Sequence, residues 1–304
     1  MQALGSDAPE EIVSRSFLFV PADSERKLKK SQECGADALI LDLEDSVAAS
    51  ERPRARSLAK SFLADRGDAT VWVRINPLDT EDALADLRDI IPAAPTGIVL
   101  PKPSGAKDAV QLGKIVSVLE EESGIAEGQT RILPIATERP EALFHLHEYA
   151  GSTNRLAGLS WGAEDLSAAL GASTNRDVDG NWLPPYELAR SLCLFAAAAA
   201  EVSAIDTIFS DFRDMDGLSI YATNARRDGF SGMLAIHPAQ IEIINAAFTP
   251  DAAEVKRAES IVSLFSDNPR SGVVSMDGEM LDRPHLLQAR KIIAMAAGSR
   301  LQES

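Results

Sequence analysis

Short apolar or β-branched runs recur at residues 16–20, 38–43, 71–75, 97–100, 132–136, 156–161, 204–209 and 233–236. They are nearly continuous in apolar character, as strands buried on both faces are. Segments with helical periodicity lie between them. Residues 26–34 stop at Gly35, residues 80–90 open on Thr80, and residues 106–122 follow the fourth run. Pro140 opens residues 140–149, the alanine run from Ala196 lies inside residues 185–202, and Pro238 opens residues 238–247. These are ordinary helix start and stop signals. Eight strands alternating with helices predict an α/β fold, a closed parallel (β/α)8 TIM barrel, in preference to an open doubly wound sheet. Such a barrel places its active site at the C-terminal ends of the strands. The last stretch leaves the alternation: a helix over residues 251–265, a polar linker over 266–271, a hairpin over 273–281 turning at Asp277-Gly278, and a helix over 284–297. The predicted organisation is a flexible N-terminal segment (1–14), a catalytic barrel (15–248) and a C-terminal helical extension or lid (249–304).

The length of 304 residues allows two domains or one barrel with an addition, and 45% hydrophobic residues suffice for a large core. Thirty basic against 46 acidic residues give a net charge of −16, which argues against nucleic acid or an anionic membrane as partner. A local Arg or Lys can still hold an anionic small molecule. Cys34 and Cys193 are far apart, without a CxxC, and are expected to be buried thiols in helical surroundings. No signal-like start and no long apolar run is seen, so the cytoplasm is the expected location.

The residues at the predicted strand ends carry the chemistry. They are Pro21, then Glu44 and Asp45, Arg74 and Asn76, Lys102, Thr137 and Glu138, Glu164 and Asp165, Asp211 with Asp206 inside its strand, and His237. Glu138 and Asp165 are hard oxygen donors of the kind Mg²⁺ takes while keeping waters. From spacing alone, helix capping by Asp165, and capping or ion pairing by Glu138 before Pro140, is the more ordinary use of these residues. Arg74 could fork a substrate carboxylate or stabilise an enolate, or pair with Glu44 or Asp45. Lys102 could form a Schiff base or simply face an anion, and Glu44 and Asp45 could cap a helix or pair with Arg52 and Arg54. His145 and His147 are two apart, and no HExxH, GxGxxG, Walker or GxSxG pattern occurs.

The motifs Arg15-Ser-Phe-Leu-Phe-Val-Pro, Leu41-Asp-Leu-Glu-Asp-Ser-Val, Val73-Arg-Ile-Asn-Pro and Leu100-Pro-Lys occur in that order. Leu133-Pro-Ile-Ala-Thr-Glu, Trp161-Gly-Ala-Glu-Asp-Leu and Ala235-Ile-His-Pro come after them. The set resembles the citrate lyase beta subunit family of coenzyme A ester lyases, which includes malyl-coenzyme A lyase, in the HpcH/HpaI aldolase superfamily. The resemblance implies a Mg²⁺-dependent lyase that splits a 3-hydroxy-3-carboxyacyl-CoA, such as malyl-CoA or citramalyl-CoA, into an acyl-CoA and a 2-oxo acid. It implies Glu138 and Asp165 as metal ligands, Arg74 as the arginine that stabilises the enolate, and Glu44 and Asp45 as the acidic pair of the second strand. Phe19 and Lys30 fall where family members contact the coenzyme A ester, and Lys102, Glu164 and His237 are further candidates for substrate contact. Asp282 resembles an aspartate that a C-terminal lid inserts into a neighbouring subunit's site as the α-proton base, which implies a homotrimer or hexamer. The lid favours a stand-alone enzyme over the beta subunit of a citrate lyase complex. Thioester hydrolysis and a malate synthase-like reaction use the same site. Arg139 beside Glu138 departs from the family pattern.

Overall fold

The structure is a computed structural model and describes residues 14–302, so the expected N-terminal segment lies outside it except for Ser14. Eight strands form one parallel sheet: β1 Ser16–Pro21, β2 Ala38–Asp42, β3 Val71–Arg74, β4 Gly97–Leu100, β5 Arg131–Pro134, β6 Gly158–Ser160, β7 Ser203–Asp206 and β8 Gly232–Ala235. Their order is β5-β4-β3-β2-β1-β8-β7-β6. Parallel bridges from Ile132 to Leu156 and from Ile135 to Ser160 join its two ends. Hydrogen bonds from Ile132 N to Arg155 O (2.8 Å) and from Ala136 N to Ser160 O (2.7 Å) complete the closure. The fold is a (β/α)8 TIM barrel, with no sheet edge left open between β5 and β6.

The helices are α1 Glu25–Ser31, α2 Arg52–Ala64, α3 Glu81–Ile90, α4 Ala106–Ser123, α5 Ala163–Leu170, α6 Pro184–Ala199, α7 Met215–Asp228 and α8 Ile241–Phe248. After β5 the chain coils as a 3₁₀ helix over Pro140–Tyr149 instead. The periodicity reading omits α2, the short α5 and α7; the buried stripes of α2 and α7 contain Ala55 and Ala59, and Ala222 and Ala225. Alanine stripes give a weak amphipathic signal. Helix α1 ends at Ser31, three residues earlier than expected, so Cys34 lies in the following turn and is only half-buried, while Cys193 on α6 is buried.

Alternate residues of the strands fill the barrel, as a two-residue period requires. Phe17, Ala38, Ile40, Trp72, Val99, Leu133, Ile135, Ile205 and Leu234 form this core. Trp72 is the largest of them and packs edge-on against Phe17, with ring centroids 6.2 Å apart. The neighbouring strand makes room for it with Gly97, where an added Cβ would stand 2.3 Å from Trp72 Cζ3 and 2.7 Å from the Arg131 carbonyl oxygen. Neither a packed indole nor a sheet backbone can retreat, so Gly97→Ala is expected to destabilise the barrel by about 3 kcal/mol. Urea unfolding measures this, and a loss under about 1 kcal/mol would mean that the ring has room to move.

The chain divides into two compact units, one ending at Ile244 and the second beginning at Asn245, within α8. The second contains α9 Ala252–Asp267, the antiparallel pair β9 Val273–Met276 and β10 Glu279–Asp282, and α10 Arg283–Gln302. Asp251 and Glu254 open α9 with a reciprocal capping box. The hairpin turns where expected, with Asp277 at φ 52° and Gly278 at φ 83°, the two positive values a primed turn needs. This unit has its own core of Ala258, Ile261, Val274, Leu281 and Ala289. Among the described residues no helix is long and apolar enough to cross a membrane.

Candidate active site

The alternation that points Ile40 and Trp72 into the barrel continues to Asp42 and Arg74, the last residues of β2 and β3, which face each other in register. Arg74 donates in a fork to Asp42, Nε to Oδ1 and Nη2 to Oδ2, each at 2.7 Å. Its Nη1 lies 3.0 Å from Glu44 Oε2, and its guanidinium covers the Phe19 ring at 4.7 Å. Asp42 also accepts from the backbone N–H groups of Glu44 (3.0 Å) and Ser46 (3.2 Å). Burial alone would raise the Asp42 carboxyl, but the Arg74 hydrogen bonds and charge outweigh it and hold the group below its usual value. Burial would likewise lower Arg74, and the carboxylates of Asp42, Glu44 and Glu138 instead keep it firmly protonated. Strand-end reading missed Asp42, because it carried β2 to Leu43 and looked beyond it for the partner of Arg74. The two-residue period from Ala38 and Ile40 was the signal that could have found it.

Glu44 and Asp45 do not pair with Arg52 or Arg54, which bind Asp82 and the pair Glu25 and Glu51 respectively. They meet Lys102. Its Nζ donates to Glu44 Oε1 and to Asp45 (2.8 Å), and lies 3.3 Å from Asp165. The carboxylates raise the Lys102 ammonium above its ordinary value despite burial, so the neutral amine required for a Schiff base is disfavoured. The Lys102 backbone sits at φ 49°, an uncommon conformation for a side-chain-bearing residue, and its N–H donates to Glu138 Oε2 at 2.5 Å. Glu44 is pushed up by burial, against the pull of Arg74 and Lys102.

Glu138 is buried, and its carboxyl is raised well above the usual range by desolvation and then by the neighbouring Asp165 charge. The backbone gives way to it at Gly162, where a Cβ would stand 2.6 Å from Glu138 Cγ. Gly162, not Asp165, occupies the cap of α5, so Asp165 is in the first helical turn and does not serve as the expected cap. Glu164 precedes it and is exposed. A cavity of about 250 Å³ opens here, bordered by the charged side chains Asp42, Arg74, Glu138, Glu164 and Asp165, by Ser46 and Thr207, and by the apolar Phe19, Ile135, Trp161, Ile208, Leu234 and Ile236.

Other candidates stand elsewhere. Asn76 ties Asp86 (2.8 Å) to the Leu43 carbonyl (3.0 Å). Lys30 is exposed in the last turn of α1. His237 caps the turn Pro238–Gln240 by accepting from Ala239 N (3.2 Å) and stacks on Phe212, with centroids 5.0 Å apart. Neither Lys30 nor His237 borders the cavity. Asp282 belongs to the C-terminal unit and meets His285 Nδ1 at 2.6 Å. Arg139 binds Asp79 (2.6 Å) and Ser104 (3.3 Å), so its charge is already partnered. Asp206 is fully buried and accepts from Trp161 Nε1 (2.6 Å) and Arg190 Nη2 (2.8 Å), which fixes the indole against the cavity.

Glu138 and Asp165 are hard oxygen donors with too little positive charge close by. The rim sets Asp42, Glu44, Asp45, Glu138 and Asp165 against the cations Arg74 and Lys102. Among the described residues no group of three or more His, Cys, Asp or Glu side chains gathers for a metal, and Glu138 and Asp165 are the two that could hold one together. A pair suits Mg²⁺, which completes its octahedron with water and substrate oxygens. A divalent cation held by both would also relieve the like-charge cost that raises Glu138.

The family described as HpcH/HpaI aldolase/citrate lyase matches residues 15–238. The chain belongs to that family. It is 32% identical over 298 residues to citrate lyase subunit beta of Leuconostoc mesenteroides subsp. cremoris, covering 97% of each chain. It is 35% identical over 286 residues to (3S)-malyl-CoA thioesterase of Cereibacter sphaeroides, covering 93% of this chain and 94% of the relative. Protein CitE from Mycobacterium tuberculosis, crystallised with magnesium, acetoacetate and coenzyme A, matches with a TM-score of 0.77 and 29% identity over 94% of this chain and 98% of that one. With this family membership the chain is an enzyme of the coenzyme A-ester lyases, which are carbon-carbon lyases.

Proposed function

We propose that the chain cleaves a 3-hydroxy-3-carboxyacyl-CoA such as malyl-CoA or citramalyl-CoA, reversibly and with Mg²⁺, to an acyl-CoA and a 2-oxo acid. The observation that carries this reading is one cavity bordered by a rigidly held guanidinium, Arg74, and by the carboxylates Glu138 and Asp165. As the substrate's 3-hydroxyl gives up its proton to a carboxylate of the site and becomes the carbonyl of the 2-oxo acid, the carbon-carbon bond breaks and leaves its electron pair on the acyl carbon as a thioester enolate. Arg74 has five N–H donors, of which the Asp42 fork takes two while Nη1 stands 3.0 Å from Glu44 Oε2 as an ion pair, so N–H groups remain to stabilise the enolate oxygen. Because Asp42 fixes the fork beforehand, little reorganisation is needed when that charge develops. Glu44 and Asp45 hold Lys102 and so keep a second positive charge at the rim.

Glu138 and Asp165 would hold Mg²⁺, which when bound supplies a Lewis acid for the oxo group. Phe19 and Lys30 are assigned to the coenzyme A ester, and Lys102, Glu164 and His237 to substrate contact nearer the rim. Asp282 of a neighbouring copy in a homotrimer or hexamer would return the proton to the enolate carbon in cleavage and remove it in condensation. Hydrolysis of the thioester is the second reading, favoured by the (3S)-malyl-CoA thioesterase relative.

The deciding experiment incubates the purified chain with malyl-CoA and citramalyl-CoA, with Mg²⁺ or with EDTA, and follows 2-oxo acid and free thiol separately. Mg²⁺-dependent 2-oxo acid without thiol is the expected result. Thiol without 2-oxo acid would replace the lyase by a thioesterase, and silence in both channels would overturn the reading for these substrates.

A further inference from the structure

On the reading that this cavity splits a coenzyme A thioester, Thr207 is a polar side chain on its wall with no task yet. We infer that Thr207 binds the 2-oxo acid half of the substrate, its hydroxyl donating to a carboxylate oxygen. Thr207 follows Asp206 at the end of β7 and is 3% exposed, yet it borders the cavity. The two-residue period sets its inward direction, since Ile205 belongs to the barrel core. Its neighbours on the cavity are apolar: Ile208 follows it, and Leu234 and Ile236 stand at the end of the adjacent β8. Among the described residues the hydroxyl makes no hydrogen bond to the protein. A hydroxyl so enclosed costs free energy until it finds a partner, and its open side is the cavity.

The other polar groups around the cavity are already engaged. Asp42 and Arg74 hold each other, Ser46 engages Asp42 through its side chain as well as its N–H (3.2 Å), and Glu138 and Asp165 are the pair for Mg²⁺. Barrel closure puts Thr207 across from Arg74, because β7 and β3 are four strands apart in either direction round the eight. Glu138 and Asp165 follow β5 and β6, between the two. The guanidinium is placed for the thioester oxygen, and a metal held by the two carboxylates serves the oxo group. The substrate's own carboxylate has two oxygens with about four acceptor sites, so it can approach the metal and still accept from the far wall. The N–H groups at the start of α5, which has no side-chain cap, can share it from the β6 side. Thr207 is also held ready for the bond. Its backbone N–H donates to the buried Asp206 at 2.8 Å, and a β-branched side chain has few rotamers to lose.

The test titrates glyoxylate, pyruvate and acetyl-CoA separately into the Mg²⁺-loaded full chain by calorimetry, for the native protein, Thr207→Val and Thr207→Ser. Valine keeps the branched shape and removes the hydroxyl, whereas serine keeps the hydroxyl. Thr207→Val is expected to weaken the better-bound oxo acid about 10-fold or more and to leave acetyl-CoA within about threefold, while Thr207→Ser keeps the oxo acid within about threefold. Urea unfolding should find Thr207→Val at least as stable as the native chain, because no bond within the protein is lost; a residue that only braced the fold would lose stability instead. In turnover of malyl-CoA or citramalyl-CoA the loss should fall on KM and spare kcat, since that carboxylate is held alike before and during bond breaking. The inference is overturned if Thr207→Val binds the oxo acid as tightly as the native chain, if the oxo acid and acetyl-CoA weaken equally, or if the native chain binds neither oxo acid. If neither thioester is cleaved, the lyase reading fails and the oxo acid titrations decide the inference alone.

Discussion

Arg74→Lys is expected to lower kcat by about 10²–10³-fold, because lysine offers a point charge where the site uses a planar fork. The arginine does two things at once: two of its N–H groups hold Asp42 in a fork beside the Glu44 charge, and its guanidinium borders the cavity. An ammonium cannot hold both oxygens of Asp42 in the same geometry and still stabilise an enolate. Arg74→Ala goes further and leaves the buried Asp42 carboxylate without its fork, which is expected to cost about 3–5 kcal/mol of stability. Adding Asp42→Asn should recover part of that loss but none of the activity, a split that urea unfolding and steady-state kinetics measure together.

The pH dependence arises from the same pair. Asp42 lies below its usual carboxyl range in the fold, so the folded chain binds fewer protons there than the unfolded chain. The stability it contributes is present above the ordinary aspartate value and is lost as pH falls through the depressed one. Arg74→Ala removes the chief opposing influence to burial, so the depression of Asp42 is relieved and the variant's stability deficit relative to the native chain should be largest near neutral pH and narrow as pH falls. An Arg74→Lys variant with activity within threefold of the native chain would remove Arg74 from the mechanism, roughly a tenth of the expected change or less.

Glu138→Gln is expected to abolish Mg²⁺-dependent turnover, a loss of about 10³-fold or more, without unfolding the chain. Glutamine keeps the shape and retains an acceptor for the Lys102 N–H. It removes a buried negative charge that stands beside Asp165, so the metal-free variant should be at least as stable as the metal-free native chain. What it loses is the stabilisation Mg²⁺ brings, about 2.7 kcal/mol at a hundredfold excess over Kd. Differential scanning calorimetry with Mg²⁺ and with EDTA reads this directly. A Glu138→Gln protein that still gains stability from Mg²⁺ would place the metal elsewhere.

Much of this protein can be read from local pattern. Eight apolar runs separated by helical segments specify a parallel barrel, since strands buried on both faces need helices outside them. The Asp277-Gly278 pair specifies a two-residue hairpin turn, because both positions need positive φ. Carboxylates and cations at the strand ends are visible for the same reason: once a strand is located, its neighbours in the chain are the residues that reach the rim. Helices α2 and α7 are not read so easily, since stripes containing buried alanine hardly differ from their polar flanks.

Which charge meets which is a different matter. The sequence offers Arg74 two plausible partners in Glu44 and Asp45, and the barrel hands it Asp42 and Glu44, leaving Asp45 to Lys102. Lys102 reaches Glu44 and Asp45 across 58 and 57 residues of chain, and no local period connects them. Local propensity and alternation act between neighbours in sequence, so the sequence determined strands, turns and their order. Ion pairs and desolvation depend on distance and burial after closure, so only the tertiary structure decided that Asp42 anchors Arg74, that Glu138 is buried beside Asp165, and that apolar side chains such as Ile135 and Trp161 share their cavity.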